Sequence, residues 1–405
     1  MTLQTALSGL NGAQTGLNTV SNDLANASTT AYKNQIALFG DIYPADESNV
    51  PGIGVATSEI DTDYSQGNLS ATGNPLDTAI QGAGFFTVSN NGTQQYTRDG
   101  SFSLDASGKL VTSTGATVLG FAAGSSSASG APAAITINTG AVPANATANV
   151  GLTLDLNSGD IPPVNPVFSP TDPTSYNEST SVAAYDSLGN ANRVNLYFVE
   201  IPPAAGATPS WNVYAQPVSP TGADIGTSTN ITTLNFNSNG VLTSGSPATL
   251  AVNWANGAAN SNIAFNFTGT TLGAQNFAVA GTTNDGYAPG SYNGVTISAN
   301  GAVQATYSNG QTVNAGTLSI ANFINQAGLQ PVSGNLYAAT ATSGQPVIDA
   351  PGIGQAGQIK GGYLEQSNAS TSSLLVSLIQ FQQAYQANTS VIQTEQQDSQ
   401  RLVQI

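Results

Sequence analysis

The sequence predicts a mainly β protein with α-helical termini. Two nested antiparallel β domains, an inner discontinuous one and an inserted outer one, are joined to a terminal helical, coiled-coil-like domain. Three observations carry that expectation. Both chain ends place apolar residues at helical spacing. The interior is a succession of short β-rich runs separated by turn dipeptides. Shifts in composition cut those runs into blocks that interrupt one another. A chain of 405 residues exceeds the usual size of one core, so two or three domains are expected, and 40% hydrophobic residues suffice to fill them.

The first 28 residues hold a heptad pattern. Leu3, Leu10, Leu17 and Leu24 lie seven apart, and Ala6, Ala13, Val20 and Ala27 follow each by three. These are a and d positions, a narrow seam of the kind helices bury against each other. Alternating Leu with Ala implies close approach of the partner helices. Gly9, Gly12 and Gly16 each lower intrinsic helicity by about 1 kcal/mol. Alone, the segment is expected to be largely disordered and to gain helix on packing.

The last 40 residues mirror the first. Leu374, Leu378, Phe381, Tyr385, Asn388, Ile392, Glu395, Ser399 and Leu402 follow a 4,3,4,3 spacing, and Ser370 or Thr371 can cap the start. Glutamines from Gln380 to Gln404 occupy the other faces. They suit hydrogen bonding between subunits, a neutral channel lining, or a solvated face. The expected polymerisation seam is Leu3, Leu10, Leu17, Val20, Leu24, Leu374, Leu378, Phe381, Tyr385, Ile392 and Leu402.

Between the ends almost everything reads as β. From Gly84 to Phe121, Asn91-Gly92, Asp99-Gly100, Ser107-Gly108 and Thr114-Gly115 punctuate the runs as hairpin signals of an antiparallel meander. Strands return at Ser181–Glu200, Trp211–Gln216, Ile231–Leu242, Ala264–Thr268 and Val295–Tyr307. Ala122–Ala134 is rich in Ala, Gly and Ser, Ser158–Pro173 is proline-rich, and Gly281–Ser291 is rich in Gly, Asn and Pro. These shifts suggest four parts. Residues 1–30 and 366–405 form the helical polymerisation domain; 31–71 and 361–365 an extended or hairpin linker region. Residues 72–147 and 284–360 form the inner β domain, and 148–283 the inserted outer β domain. Loop-closure entropy grows only logarithmically with length, so such nesting is permissible. The tetrads Pro51-Gly52-Ile53-Gly54 and Pro351-Gly352-Ile353-Gly354 echo each other near the two ends.

Composition excludes several functions. Charged residues are 7%, against about 25% in ordinary soluble proteins. A surface of Asn, Ser, Thr, Gln and Gly costs less to desolvate than a charged one, which suits subunits that pack on copies of themselves. Six basic residues that never cluster, against twenty-two acidic ones, argue against nucleic-acid binding. The acidic excess is thinly spread and reads as solubilising. Without cysteine or histidine there are no disulfides, Cys/His metal sites, thiol catalysis or histidine general base.

No stretch approaches the roughly 18 apolar residues of a membrane span. The N-terminus lacks the basic and apolar regions of a secretory signal, so export would need another route. Gly82-Ala83-Gly84 lacks the rest of a dinucleotide fingerprint, and no GK[ST] occurs. Glu59, Asp61 and Asp63 would share one strand face, a polar face more readily than a cation or glycosidase site. Arg98-Asp99-Gly100 reads as a local ion pair or turn contact, and Trp211 and Trp254 as core or interface anchors. No catalytic residue, cofactor or metal site is expected.

These features converge on a resemblance. Ala6-Leu7-Ser8-Gly9-Leu10, Ser21-Asn22-Asp23-Leu24-Ala25-Asn26 and Tyr32-Lys33 resemble the N-terminal signature of flagellar axial proteins, the rod, hook and hook–filament junction subunits. Gly362-Tyr363-Leu364-Glu365-Gln366-Ser367-Asn368 and Tyr385-Gln386-Ala387-Asn388 resemble the C-terminal signature. Gln81 to Phe86 and Tyr96 to Phe102 are similar to the core of the rod and hook β domain. Tyr185-Asp186-Ser187-Leu188-Gly189-Asn190, leading into a strand, looks like the insert of the hook members, and the similar distal rod protein lacks an insert of this size. Ala31 stands where the family usually has glycine, and Gln383-Ala384 replaces the familiar Arg-Gly.

The resemblance implies a subunit of a curved tubular homopolymer, a universal joint passing torque from rod to filament. Terminal helices would line the tube and β domains would stack outside. It implies contacts with rod, hook-cap and hook–filament junction proteins, and passage through the flagellar type III export apparatus to an extracellular place in the hook. Another axial subunit is the nearest rival. A secreted β-rich adhesin or glycan-active enzyme would not explain paired helices at the two ends.

Overall fold

A computed structural model describes residues 2–43, 52–124, 130–202 and 208–403. Pro51 of the first tetrad lies outside them, as does Gln404. The chain divides into two compact units, one of residues 1–139, 294–306 and 312–405 and the other of residues 140–293 and 307–311. Strands dominate both, and the two α-helices among the described residues are terminal: α1 (Thr2–Ala25) and α2 (Thr371–Val403). The mainly β fold with helical ends is as the sequence predicts.

In the first unit three of the four turn dipeptides work as read, whereas the strands either side of Asp99-Gly100, Thr93–Thr97 and Phe102–Leu104, pair with other strands and not with each other. Asn91-Gly92 joins Phe85–Asn90 to Thr93–Thr97, which pair antiparallel with Phe86 opposite Thr97. Ser107-Gly108 and Thr114-Gly115 join the next strands, Phe102–Leu104, Leu110–Thr112 and Thr117–Phe121. Segments from far along the chain complete the same sheet. Ile320–Asn322 pairs with Phe85–Asn90, and Leu336–Ala338 pairs with Thr93–Thr97. Phe85, Tyr96, Ala321, Phe323, Leu329 and Tyr337 form a buried aromatic core drawn from both halves of the sequence. Its rings meet edge to face, with Tyr96 and Phe323 centroids 4.8 Å apart, the geometry favoured by their quadrupoles.

The second unit is a sandwich. One sheet runs in the order Ala248–Val252, Ser261–Asn266, Asn149–Asn157 and Thr271–Gly273, with Ala278–Asn284 also on Asn149–Asn157. The other is a meander of Glu178–Tyr185, Ala191–Ile201, Ser210–Val218, Thr229–Phe236 and Leu242–Ser244. Asn149–Asn157 runs parallel to two of its neighbours, a local departure from the all-antiparallel expectation. Alternate residues of both sheets fill one core, including Leu152, Leu154, Val194, Leu196, Phe198, Phe265 and both tryptophans. Trp211 and Trp254 are thus core residues.

Three expected strands are hairpins, Ile231–Leu242 among them, which turns at Asn237–Val241 between the paired Thr229–Phe236 and Leu242–Ser244. Ser181–Glu200 turns at Asp186–Asn190, where the Asp186 carboxylate accepts from the amides of Leu188 and Asn190 and Gly189 adopts a positive φ of 86°. Val295–Tyr307 likewise contains a turn, with Ser298 and Gly301 amide–carbonyl bonded and Gly301 at φ 77°. Asx and Gly turn chemistry overrides β propensity at all three places, the third through Asn237, which accepts from the Asn239 and Val241 amides, and Gly240 at φ 73°.

Candidate functional site

The candidate site is the helix pair and the corner from which it leaves the β unit. α1 is a 24-residue helix and α2 a 33-residue helix, about 36 and 50 Å long at 1.5 Å per residue. They pack on each other within one chain. Each terminal segment therefore finds its helical partner at the other end of its own sequence, rather than waiting for a neighbour as the isolated segment suggests.

Close packing explains the glycines. A Cβ on Gly16 would lie 2.4 Å from the Phe381 ring, and one on Gly9 would lie 2.8 Å from the Asn388 side chain. The glycines cost α1 intrinsic helicity, yet they are the notches that accept α2. Gly12 differs, because a Cβ there would make ordinary contact with Val55 and Phe39 of the adjoining hairpin. That hairpin, Gln35–Ile42 with Gly54–Thr62, lies on α1, and the Phe39 and Phe381 rings are 6.1 Å apart. Gly9, Gly12, Ala13, Phe39, Val55, Phe381 and Ala384 line an apolar cleft of about 210 Å³.

The seam residues divide. Val20 and Leu374 are buried and share a small core with Ala369, against which Leu24, Leu378 and Phe381 pack. Leu10, Leu17 and Leu24 are half-buried, and Leu3 is 48% exposed. The buried stripe of α1 runs instead through Ala6, Gly12, Ala13, Gly16, Thr19, Val20 and Asp23, so the a-position leucines lie at its edge. On α2, Leu374, Leu378, Phe381, Tyr385, Asn388, Ile392 and Glu395 are the covered or half-covered row, whereas Ser399 is exposed. The Leu402 side chain lies outside the described residues. Leu375, Val376, Ile379 and Val391 form a second, exposed apolar set, and the described glutamines from Gln380 to Gln400 are exposed.

The corner is built from polar residues that sequence reading left as signature alone. Asp23, fully buried, accepts from the Tyr32 hydroxyl at 2.7 Å and from the Gln35 amide at 3.1 Å. Burial pushes its carboxyl up and these bonds pull it back. Burial and the Asp23 charge push the Tyr32 hydroxyl well above its usual range. Asn22 donates to the Tyr32 oxygen at 3.0 Å, and Asn368 accepts from the Asn34 amide at 2.8 Å.

Beneath this corner lies an ion cluster. Lys33 Nζ is 2.6 Å from Glu365 Oε1, and Arg98 reaches Glu365 Oε2 at 3.4 Å, all three side chains being almost wholly buried. Lys33 also donates to the Ser65 carbonyl, the Gly67 amide donates to Glu365, and Arg98 donates to the Gly82 carbonyl. Arg98 lies over the Phe85 ring at 5.4 Å. Burial pushes the Lys33 and Arg98 pKa down, and the Glu365 charge opposes it. Arg98 therefore pairs with a residue 267 positions away rather than locally as expected. Asp99 serves the turn instead, accepting from the Ser101 amide and hydroxyl.

Ala31 explains a departure from the family pattern. It is buried with a φ of 57°, the left-handed region that favours glycine, and its amide donates to the Glu365 carbonyl at 2.8 Å. The Glu59, Asp61 and Asp63 trio does not share one strand face. Glu59 and Asp61 lie on Gly54–Thr62, whereas Asp63 follows it and accepts from the Ser65 amide and hydroxyl. Among the described residues no group of three or more acidic side chains is arranged to hold a metal. No described helix is long and apolar enough to cross a membrane.

Comparison with known proteins accounts for nearly the whole chain. Family models match at residues 3–33 (flagella basal body rod protein) and 79–151 (flagellar hook protein FlgE/F/G D1 domain). Others match at 155–287 (flagellar basal body protein FlaE D2 domain) and 360–405 (flagellar basal body rod FlgEFG protein C-terminal). The flagellar hook protein FlgE of Salmonella typhimurium is 35% identical over 413 residues, covering 100% of both chains. That of Escherichia coli is 35% identical over 422 residues, again covering 100% of both. The Treponema pallidum hook protein is 28% identical over 461 residues, covering 97% of this chain and 96% of its own. Among solved structures, the Helicobacter pylori hook protein FlgE2 shares the fold, with a TM-score of 0.55 and 16% identity over 73% of this chain and 100% of that one. With the ordered terminal signatures, the discontinuous β unit and the inserted sandwich all in place, the chain belongs to the flagellar hook protein family.

Proposed function

We propose that this chain is a structural subunit of the bacterial flagellar hook, assembling with copies of itself into a curved, flexible tube that transmits torque as a universal joint. The observation that carries the reading is the half-finished helix pair. α1 and α2 satisfy each other along one stripe and leave Leu3, Leu7, Leu375, Val376 and Ile379 about half exposed. An apolar face of that extent is stable in water when neighbouring copies cover it. The half-buried Leu10, Leu17 and Leu24 border that face, and we assign the polymerisation seam to them together with the exposed Leu375, Val376 and Ile379, the Leu374, Leu378 and Phe381 row being packed on α1 within the chain.

On this reading the four-part division has a mechanical sense. The helical ends (1–30, 366–405) hold the tube and the hairpin region (31–71, 361–365) carries load outward. The inner β domain (72–147, 284–360) and the insert (148–283) meet their neighbours outside. A wall that bends as it turns must slide between near-equivalent contacts, and a neutral surface has few ion pairs to lock one register. Rod, cap and junction proteins as end partners, and export through the type III apparatus, extend the same proposal.

Leu17→Asp should abolish tubes, because it presents an unpaired charge to a buried seam. Leu3→Asp should do the same at a position too exposed to unfold the monomer. Electron microscopy of the assembled protein is the measurement. Normal tubes from both variants would overturn the seam, and straight rather than curved wild-type tubes would point to a rod subunit.

A further inference from the structure

Inward-facing rows on three segments of the inserted sandwich end in carboxylates. Along Ala191–Ile201 the buried Val194, Leu196 and Phe198 are followed on the same face by Glu200, itself 3% exposed. On the neighbouring strand Val182 and Ala184 face the same core, and Glu178 opens that alternate row. In the opposite sheet Val150, Leu152, Leu154 and Leu156 face inward, and Asp160 follows just past the strand's end.

Glu200 Oε2 and Asp160 Oδ2 are both buried without a hydrogen-bond partner. So is the indole Nε1 of Trp211, which stands directly opposite Glu200 in the strand pairing. A buried charge left unpaired costs far more than a buried neutral group. Among the described residues no cation offsets these charges. Arg193 is the one Lys or Arg in residues 140–293 and 307–311; it is exposed and lies seven residues along the strand, about 23 Å from Glu200. Of the other acidic groups nearby, Asp155 accepts from Thr271, and Asp172 from Asn165 and Thr174. The strands Ser210–Val218 and Ala278–Asn284 carry no charged residue. Asn177, next to Glu178, donates from its side chain to the carbonyl of Ile161, next to Asp160, and accepts from the Glu200 amide, so the three carboxyl-bearing segments meet there.

We propose that Asp160, Glu178 and Glu200 form one proton-binding cluster at the end of the sandwich core, holding a proton among them more tightly than free carboxyls do, so that acidification stabilises the inserted unit. Burial raises the proton affinity of all three carboxyls, and the Asp160 charge raises those of Glu178 and Glu200 further. A carboxyl raised in the folded state binds more protons folded than unfolded. Stability then grows as pH falls towards the ordinary carboxylate range and is lost as pH rises through the folded value. Asp172, Asp186 and Asp285 are shifted the opposite way by their hydrogen bonds, so their stabilisation fades only below that range.

Both tryptophans of the chain lie in this core, so their fluorescence reports its unfolding in the full-length monomer. Urea unfolding at about pH 7.5 and about pH 5.5 should show the unfolding constant dropping on acidification, by at most about tenfold per pH unit for one proton. Glu200→Gln should be more stable than wild type at the higher pH and should flatten the dependence. Asp160→Asn, at a half-exposed position, should flatten it too if Glu200→Gln fails to fold. A wild-type constant that holds steady or rises on acidification, or a dependence unchanged in Asp160→Asn, would overturn the proposal. Calcium added at the higher pH should change nothing; a calcium-induced stabilisation lost in Asp160→Asn would make this a cation site and overturn it equally.

Discussion

The helix pair and the inserted sandwich solve burial in opposite ways. The sandwich closes on itself, with alternate residues of two sheets filling a core that includes two tryptophans, Phe198, Phe265 and Phe267. The helix pair shares a core of three buried apolar residues, Val20, Ala369 and Leu374, with a few partly buried neighbours. Its glycine notches bring the backbones together without adding apolar volume. The difference separates a part that is complete as a monomer from one whose apolar surface is only half used. On the proposed function, the half-used part is the one that neighbouring copies complete.

Two probes keep the parts distinct. Tryptophan fluorescence reads the sandwich, because both tryptophans are there, and far-UV circular dichroism reads α1 and α2. Phe198→Ala, at a fully buried site, should destabilise the sandwich by about 3–5 kcal/mol while leaving the helical signal at its wild-type midpoint. A joint loss of both signals would mean the two parts fold as one and would break the comparison.

Glu365→Gln should have an effect of similar size on the other side. It strands Lys33 and Arg98 as buried, uncompensated charges, at a cost of about 3–5 kcal/mol. The helical signal should melt earlier and the tryptophan signal should not. An unchanged helical midpoint would show that the ion cluster does not hold the corner.

The smallest effects sharpen the picture most. Gly16→Ala gains about 1 kcal/mol of helix propensity but drives a methyl into the Phe381 ring, so overpacking of about 1–3 kcal/mol should win. Gly12→Ala meets only ordinary contacts and should stabilise α1 by up to about 1 kcal/mol. Equal helical midpoints for the two variants would remove the notch explanation.

Much of this was legible along the chain because it is periodic or local. Heptad spacing found α1, and the 4,3,4,3 row found α2 and the side of it that is covered. Asn91-Gly92, Ser107-Gly108 and Thr114-Gly115 found the hairpins from Phe85 to Phe121, since a short turn fixes its own neighbours, whereas Asp99-Gly100 marked a turn between strands that do not pair. Where turn chemistry was less compact, as at Asp186–Asn190, two strands were read as one.

What stayed hidden depends on residues far apart in sequence. Spacing shows that Gly16 weakens a helix; only packing shows that Phe381 fills the space it leaves. Arg98 beside Asp99 suggests a local pair, yet its partner is Glu365, because burying two cations together demands a shared carboxylate that no local segment supplies. Ala31 looks like a mild departure until its backbone is seen in the left-handed region. The sequence alone determined the mainly β fold with helical ends and the family, because propensity, turn geometry and apolar period act over a few residues at a time. Tertiary structure alone decided how the two ends fit, with Phe381 in the space left by Gly16, and which apolar faces remain open. Burial and electrostatic compensation are properties of the assembled neighbourhood, and no stretch of chain contains them.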